Sequence, residues 1–240
     1  MQRLDARACD ALRPIRLETQ IMGNAGGSAL IRWGNTHVLC SVMLEEQTAR
    51  FLTGSGKGWL TAEYAMLPAS TPTRKARDGL KPDGRSVEIK RLIGRSLRAV
   101  VDFSALGERT IWVDCDVLCA DGGTRTASIT GAYVALALGV RRWMAEGRLP
   151  CNPLLDSVAA VSCGVVEDQP LLDLAYDEES RAQVDCNFVI TGKGRFVEVQ
   201  GTGEGRAFTQ QELLDMLSLA QRGAEQLRYL QQKAIEEAAP

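Results

Sequence analysis

Apolar residues recur along this chain with two periods. Short alternating or continuous apolar runs predict strands over residues 29–32, 38–44 and 59–66, separated by glycine turns. Ile89, Leu92, Ile93, Leu97, Val100 and Val101 then recur at helical spacing and predict a helix over 85–102, started by Asp83-Gly84. A strand-like run over 110–120 leads into a helical one over 127–145. A second strand set is expected at 158–166, 171–176, 185–190 and 196–199. A long final helix follows. Thr209 with Glu212 three residues on forms a capping box, and Leu213, Leu214, Met216, Leu217, Ala220, Ala224 and Leu227 supply its buried stripe. Strands followed by a helix, twice over, indicate an α+β fold with two related halves, although no repeat of fixed period is visible.

At 240 residues and 45% hydrophobic, the chain can bury a sizeable core. No apolar run approaches the roughly 20 residues that span a bilayer, and residues 1–7 lack the apolar stretch of a secretory signal. Seven cysteines with no Cys-x-x-Cys pair favour free thiols. Cys40, Cys115, Cys119, Cys163 and Cys186 lie in apolar runs and are expected to be buried. A reducing cytoplasm fits.

A net charge of −2 argues against coating nucleic acid by charge alone. The basic residues nevertheless gather between 74 and 98: Arg74, Lys75, Arg77, Lys81, Arg85, Lys90, Arg91, Arg95 and Arg98. Only Asp78, Asp83 and Glu88 oppose them, so a local cationic surface is expected there. The segment over 68–82, rich in Pro, Thr and basic residues, reads as a mobile or partner-facing loop. The chain has one histidine, His37, at a turn entering a strand. It cannot build a Ser–His–Asp triad or a multi-histidine zinc site, so chemistry must run on carboxylates, arginines and hydroxyls.

The stretch from Asp121 to Ala132 carries the clearest chemical signal. Gly122 and Gly123 allow a sharp turn between strand and helix. The first N–H groups of that helix have no intrahelical partner. Thr124, Arg125 and Thr126 add hydroxyls and a planar fork of donors. Together they describe a phosphate pocket or, more plainly, a glycine turn with a threonine cap. Arg85, in the first turn of the preceding helix, would meet an anion in the same way. A second stretch, from Leu172 to Asn187, reads as strand, acidic turn and returning strand. Asp177, Glu178 and Glu179 there form either a solvated turn or, with Asp185, a divalent-cation site of oxygen ligands. Gly54-Ser55-Gly56-Lys57-Gly58 and Gly201-Thr202-Gly203-Glu204-Gly205 fit no nucleotide-binding pattern and read as tight loops, the second able to line a pocket.

Gly123-Thr124-Arg125-Thr126-Ala127-Ser128-Ile129-Thr130-Gly131-Ala132 resembles the signature of the ribonuclease PH family. Gly58-Trp59-Leu60-Thr61-Ala62-Glu63-Tyr64, the run from Gly84 to Arg95, and Glu198-Val199-Gln200-Gly201-Thr202 continue the resemblance in order, from Arg13 to the final helix. It implies an α+β ribonuclease PH-like fold, a single domain over residues 1–240 built of two βαβα halves and similar to ribosomal protein S5 domain 2, with a long C-terminal helix. It also implies a phosphate-dependent 3′-to-5′ exoribonuclease that trims tRNA precursors and other RNA, releases nucleoside diphosphates and runs reversibly. Subunits of such enzymes form dimers that assemble into a hexameric ring, without a membrane, in the cytoplasm.

Carried onto this chain, the phosphate site would be Arg85, Gly123, Thr124 and Arg125. The catalytic and magnesium-binding carboxylates would be Asp185 and Glu179, with Arg74 and Arg77 contacting RNA. The chain departs from the family at Glu179, where aspartate is usual, and at Ala69, where arginine is usual. Asn24-Ala25-Gly26-Gly27 also replaces a usual His-Ala-Glu-Gly. A shift of about 1 Å in a catalytic group can cost ~100-fold in rate. An alternative is therefore a catalytically weakened or inactive, ring-forming RNA-binding paralogue. An enzyme of small phosphorylated metabolites would explain the anion pocket but not the basic cluster.

Overall fold

The computed structural model describes residues 3–77 and 83–238. The first half contains β1 (Ile15–Thr19), β2 (Gly27–Trp33), β3 (Thr36–Glu45), β4 (Trp59–Met66), α1 (Gly84–Arg98), α2 (Phe103–Leu106), β5 (Thr110–Cys119) and α3 (Thr124–Ala145). The second contains β6 (Val158–Val166), β7 (Gln169–Leu172), α4 (Tyr176–Glu179), β8 (Val184–Thr191), β9 (Phe196–Gly203) and α5 (Gln210–Glu237). Two sheets result, one in the order β1-β2-β3-β5-β4 and one in the order β7-β6-β8-β9. Among the described residues, only β4 and β5 pair in parallel. A parallel pair needs a crossover, which α1 and α2 supply.

Helix α3 is the central beam. It packs on β2, β3 and β6 and against α5, and its apolar residues run round the whole helix, as a buried helix requires. Strand β6 is buried at every position because α3 and α5 cover it. One apolar cluster runs through both sheets, with Trp33, Ile129, Trp143 and Phe188 among its fully buried members.

Several boundaries differ from expectation for identifiable reasons. Helix α1 stops at Arg98 rather than 102, and Val101 instead bridges Leu154. The strand expected over 171–176 ends at Leu172, because Asp173 adopts φ +58° and turns the chain out of the sheet. The acidic turn then closes into the single helical turn α4. Gly201–Gly203 belong to β9, paired with Cys186, Asp185 and Val184, and are not a loop. Edge strand β1 escaped the pattern because it is short and only half-buried. The Thr209–Glu212 capping box forms as expected. All seven cysteines are free, but Cys119 is half-buried rather than buried.

Candidate active site

Strand β5 delivers the chain to Asp121, and two left-handed glycines, Gly122 (φ +73°) and Gly123 (φ +64°), turn it into α3. L-side chains resist that conformation. A Cβ on Gly122 would also stand 2.7 Å from the Leu174 carbonyl oxygen. Gly123 caps α3 without any side-chain hydrogen bond, so the N–H groups of its first turn remain available at the positive helix end. The loop is braced from below. Thr36 Oγ1 donates to the Gly122 carbonyl at 2.7 Å and accepts from Asp121 N at 2.9 Å. From β4, Tyr64 Oη donates to Thr124 Oγ1 at 2.9 Å, leaving the Thr124 proton free to be donated onward. Burial pushes the Tyr64 phenol above its ordinary value, against the Thr124 hydrogen bond and the charges of Arg85 and Arg125.

Arg85, Gly122, Gly123, Thr124, Tyr176 and Glu179 line one open cavity of about 700 Å³. Arg85 is exposed, and no hydrogen bond or salt bridge ties it to another described residue. The N-terminus of α1 is not open in the way expected, because the Asp83 carboxylate accepts from Ser86 N. Hydrogen bonds from Lys75 and the Ser86 amide hold Asp83 down to about 2. The α1 contribution to an anion is therefore the Arg85 guanidinium rather than a free helix end. Arg125 is aimed by Gln200, whose Oε1 accepts from Nη1 at 2.9 Å, and by Glu88 at 3.5 Å.

Asp185 sits on β8 between Gly164 of β6 and Thr202 of β9. Burial raises its carboxyl to about 6, helped by the charges of Glu179 and Glu204 and opposed by those of Arg125 and Arg85. Charge interactions thus link Asp185 to Glu179, Arg125 and Arg85, while Asp185 and Arg125 themselves are not among the residues lining the cavity shared by Arg85 and Glu179. No group of three or more His, Cys, Asp or Glu with metal-site geometry occurs among the described residues. Two neighbouring carboxylates that repel each other nevertheless suit magnesium, which takes one or two and keeps its waters.

The remaining sequence candidates are more dispersed. Arg74 and Arg77 are exposed in the irregular segment beyond Thr71–Thr73, which lines the same cavity. The expected cationic cluster is partly neutralised. Lys75 pairs with Asp83 (2.6 Å), Lys90 with Glu63 (3.1 Å) and Arg95 with Glu198 (2.6 Å). Arg98 lies over the Trp59 ring at 4.9 Å. Asp78 and Lys81 fall outside the described residues. His37 lies on β3 beside Arg32, kept below its ordinary pKa by burial and that charge.

Sequence reasoning missed the support beneath the site. Asp173 is 1% exposed, and its carboxylate accepts from Arg13 Nη2 (2.7 Å) and Trp33 Nε1 (2.8 Å). Burial alone would raise this carboxyl, but Arg13 and Arg7 outweigh it and hold it below its ordinary value. Glu178, also buried, pairs with Arg3 at 2.7 Å. The available signal was an aspartate inside the apolar run Leu171-Leu172-Asp173-Leu174, since a buried charge requires a partner.

Two family models match the chain in succession. The "3′ exoribonuclease family, domain 1" covers residues 11–140, and "domain 2" of the same family covers 156–223. A Methylobacterium radiotolerans protein named Ribonuclease PH is 55% identical over 95% of this chain and 98% of its own length. Its namesake from Prochlorococcus marinus is 52% identical over 97% and 96%. Among solved structures, a chain of an Archaeoglobus fulgidus exosome with RNA bound to the active site aligns with a TM-score of 0.81 at 24% identity, covering 95% of this chain and 92% of that one. Rice Rrp46 aligns with a TM-score of 0.80 at 19% identity, covering 97% and 100%. At those identities the structural likeness is one of fold.

Proposed function

This chain belongs to the 3′ exoribonuclease family, and we propose that it is a phosphate-dependent 3′-to-5′ exoribonuclease that trims tRNA precursors and other RNA. The observation that carries the reading is the N-terminus of α3, free of any side-chain cap, opening with Arg85, which no described residue pairs, into a cavity that also holds Glu179.

Inorganic phosphate is the nucleophile. It is held by the N–H groups that follow Gly123, by the Thr124 hydroxyl, and by Arg85 and Arg125. Those donors offset the repulsion between an anionic nucleophile and an anionic phosphodiester. A phosphate oxygen attacks the last phosphorus of the RNA, the bond from that phosphorus to the preceding 3′ oxygen breaks, and a nucleoside diphosphate leaves. The 3′ oxygen takes up a proton. That proton is the one the attacking hydrogen phosphate gives up, so no side chain need supply it. Asp185 and Glu179 would hold a magnesium ion, which supplies charge neutralisation at phosphorus when bound. An ester bond is exchanged for a comparable anhydride, so the reaction runs both ways.

Arg74 and Arg77 are assigned to the RNA backbone beyond the cavity. The shared apolar core supports one folding unit over residues 1–240, and the family supports a hexameric ring built from dimers, working in the cytoplasm. No helix among the described residues is long and apolar enough to cross a membrane. The inactive RNA-binding alternative, motivated by Glu179 and Ala69, is not favoured: the relatives at 52% and 55% identity are named Ribonuclease PH, and Arg85, Gly123, Thr124 and Glu179 line one cavity. The test is incubation of RNA carrying a tRNA 3′ extension with phosphate and magnesium. Nucleoside diphosphates should appear in proportion to phosphate; monophosphates, or release without phosphate, contradict the proposal.

A further inference from the structure

The anion loop and the acidic turn come from different halves of the chain, yet both rest on one buried ion pair. The Asp173 carboxylate accepts from the Arg13 backbone N–H at 2.6 Å, from Nη2 at 2.7 Å and from Nε at 3.1 Å. The other arm of the same guanidinium, Nη1, donates to the Asp121 carbonyl, at the start of the anion loop. Arg13 Nη2 also lies 3.2 Å from where a Cβ on Gly123 would stand, so the guanidinium sits directly beneath the turn.

Immediately after Asp173, the chain runs against that loop and then forms the helical turn bearing Glu179. Tyr176 N donates to the Asp121 carboxylate at 3.3 Å. Glu178, next to Glu179, is gripped by Arg3 Nε and Nη2, each at 2.7 Å, and accepts from Ala175 N at 2.9 Å. A buried ion pair is weak support for stability, because desolvation offsets much of its Coulomb attraction. A planar fork held between a carboxylate and a carbonyl is, however, a rigid spacer.

We propose that the Arg13–Asp173 pair is a positioning device for the phosphate nucleophile, locking the Asp121–Thr124 loop against the turn that carries Glu179 so that the anion and carboxylate sites keep one spacing. Neither side chain touches the reacting atoms. The assignment rests on the phosphate-dependent reading of the site and adds what holds that site in register.

Arg13→Lys tests it. Lysine keeps the charge opposite Asp173 but cannot span Asp173 and the Asp121 carbonyl as a fork does. Phosphorolysis by the full-length protein is measured at saturating RNA with phosphate varied. The KM for phosphate should rise and kcat per folded molecule should fall, lowering kcat/KM for phosphate by about 10-fold or more, because a displaced loop holds phosphate less well and at the wrong distance from the carboxylates. In parallel, the rise in melting temperature that inorganic phosphate gives the RNA-free protein should shrink. A role confined to stability would lower the folded fraction and leave KM untouched.

Folded Arg13→Lys protein with wild-type KM and a wild-type phosphate-induced rise overturns the proposal. Should Arg13→Lys not fold, Trp33→Phe removes a single donor to Asp173, and its KM should rise about 2-fold; an unchanged KM overturns the proposal. Wild-type protein without saturable phosphate dependence would instead refute the underlying activity, so the two failures are distinguishable.

Discussion

Replacing Asp185 with asparagine should make the metal-free protein more stable while removing its activity. The carboxyl is raised to about 6 from 3.8, first by burial and then by Glu179 and Glu204. A raised acid costs stability wherever it must ionise in the fold. Below the unfolded value both states keep the proton and no penalty exists. As pH climbs from about 4 to 6 the unfolded chain releases its proton more readily, and the penalty grows until it levels off above the folded value. Each tenfold gain in proton affinity is worth about 1.4 kcal/mol, so the plateau is about 3 kcal/mol, reduced toward ~2 because the residue is only half-buried and solvent screens it. Asparagine has the same shape and no charge. For a chain of this size, the gain corresponds to a rise in melting temperature of about 5–10 °C. Melts in chelator at pH 8 should show that gain, and melts at pH 4 should show almost none. Magnesium should stabilise the wild type and narrow the difference at pH 8. Equal stability at pH 8, or an equal gain at both pH values, would refute the reasoning.

Other perturbations address separate parts of the site. Arg85→Ala or Arg125→Ala should reduce turnover by at least ~100-fold with wild-type circular dichroism and melting, since each removes a donor to anionic phosphate; turnover near wild type would contradict the assignment. Glu179→Asp should raise turnover several-fold by withdrawing the carboxylate about 1 Å, measured as diphosphate release under saturating phosphate. Arg74→Ala and Arg77→Ala should each weaken RNA binding and reduce the log–log salt slope by about 0.7, read from filter binding across a salt series.

The site's chemistry was more legible than its support. Gly122-Gly123 followed by Thr124, Arg125 and Thr126 reads along the chain as either an anion loop or a plain glycine turn; the structure adds two left-handed glycines and a helix end with no side-chain cap. Asp185 stood out as a lone acid in an apolar strand, and its raised carboxyl reflects that placement. What the pattern could not supply was partnership across long separations. The contacts from Arg13 to Asp173, from Tyr64 to Thr124 and from Gln200 to Arg125 join residues from different strands and helices, and no local period encodes them. The same gap explains the overestimated basic patch: Lys90, Arg95 and Lys75 look free along the chain but meet Glu63, Glu198 and Asp83 in space. Helix and strand identities followed the apolar periods well, while endings that depend on one backbone angle, such as Asp173, did not.

The central claim is that free phosphate, rather than water, cleaves the RNA. Radiolabelled inorganic phosphate incubated with the protein, magnesium and unlabelled RNA tests it most directly. Label should enter the β-phosphate of the released nucleoside diphosphates, one atom for each nucleotide removed. RNA shortened with no label in the products, or released as monophosphates, would contradict it.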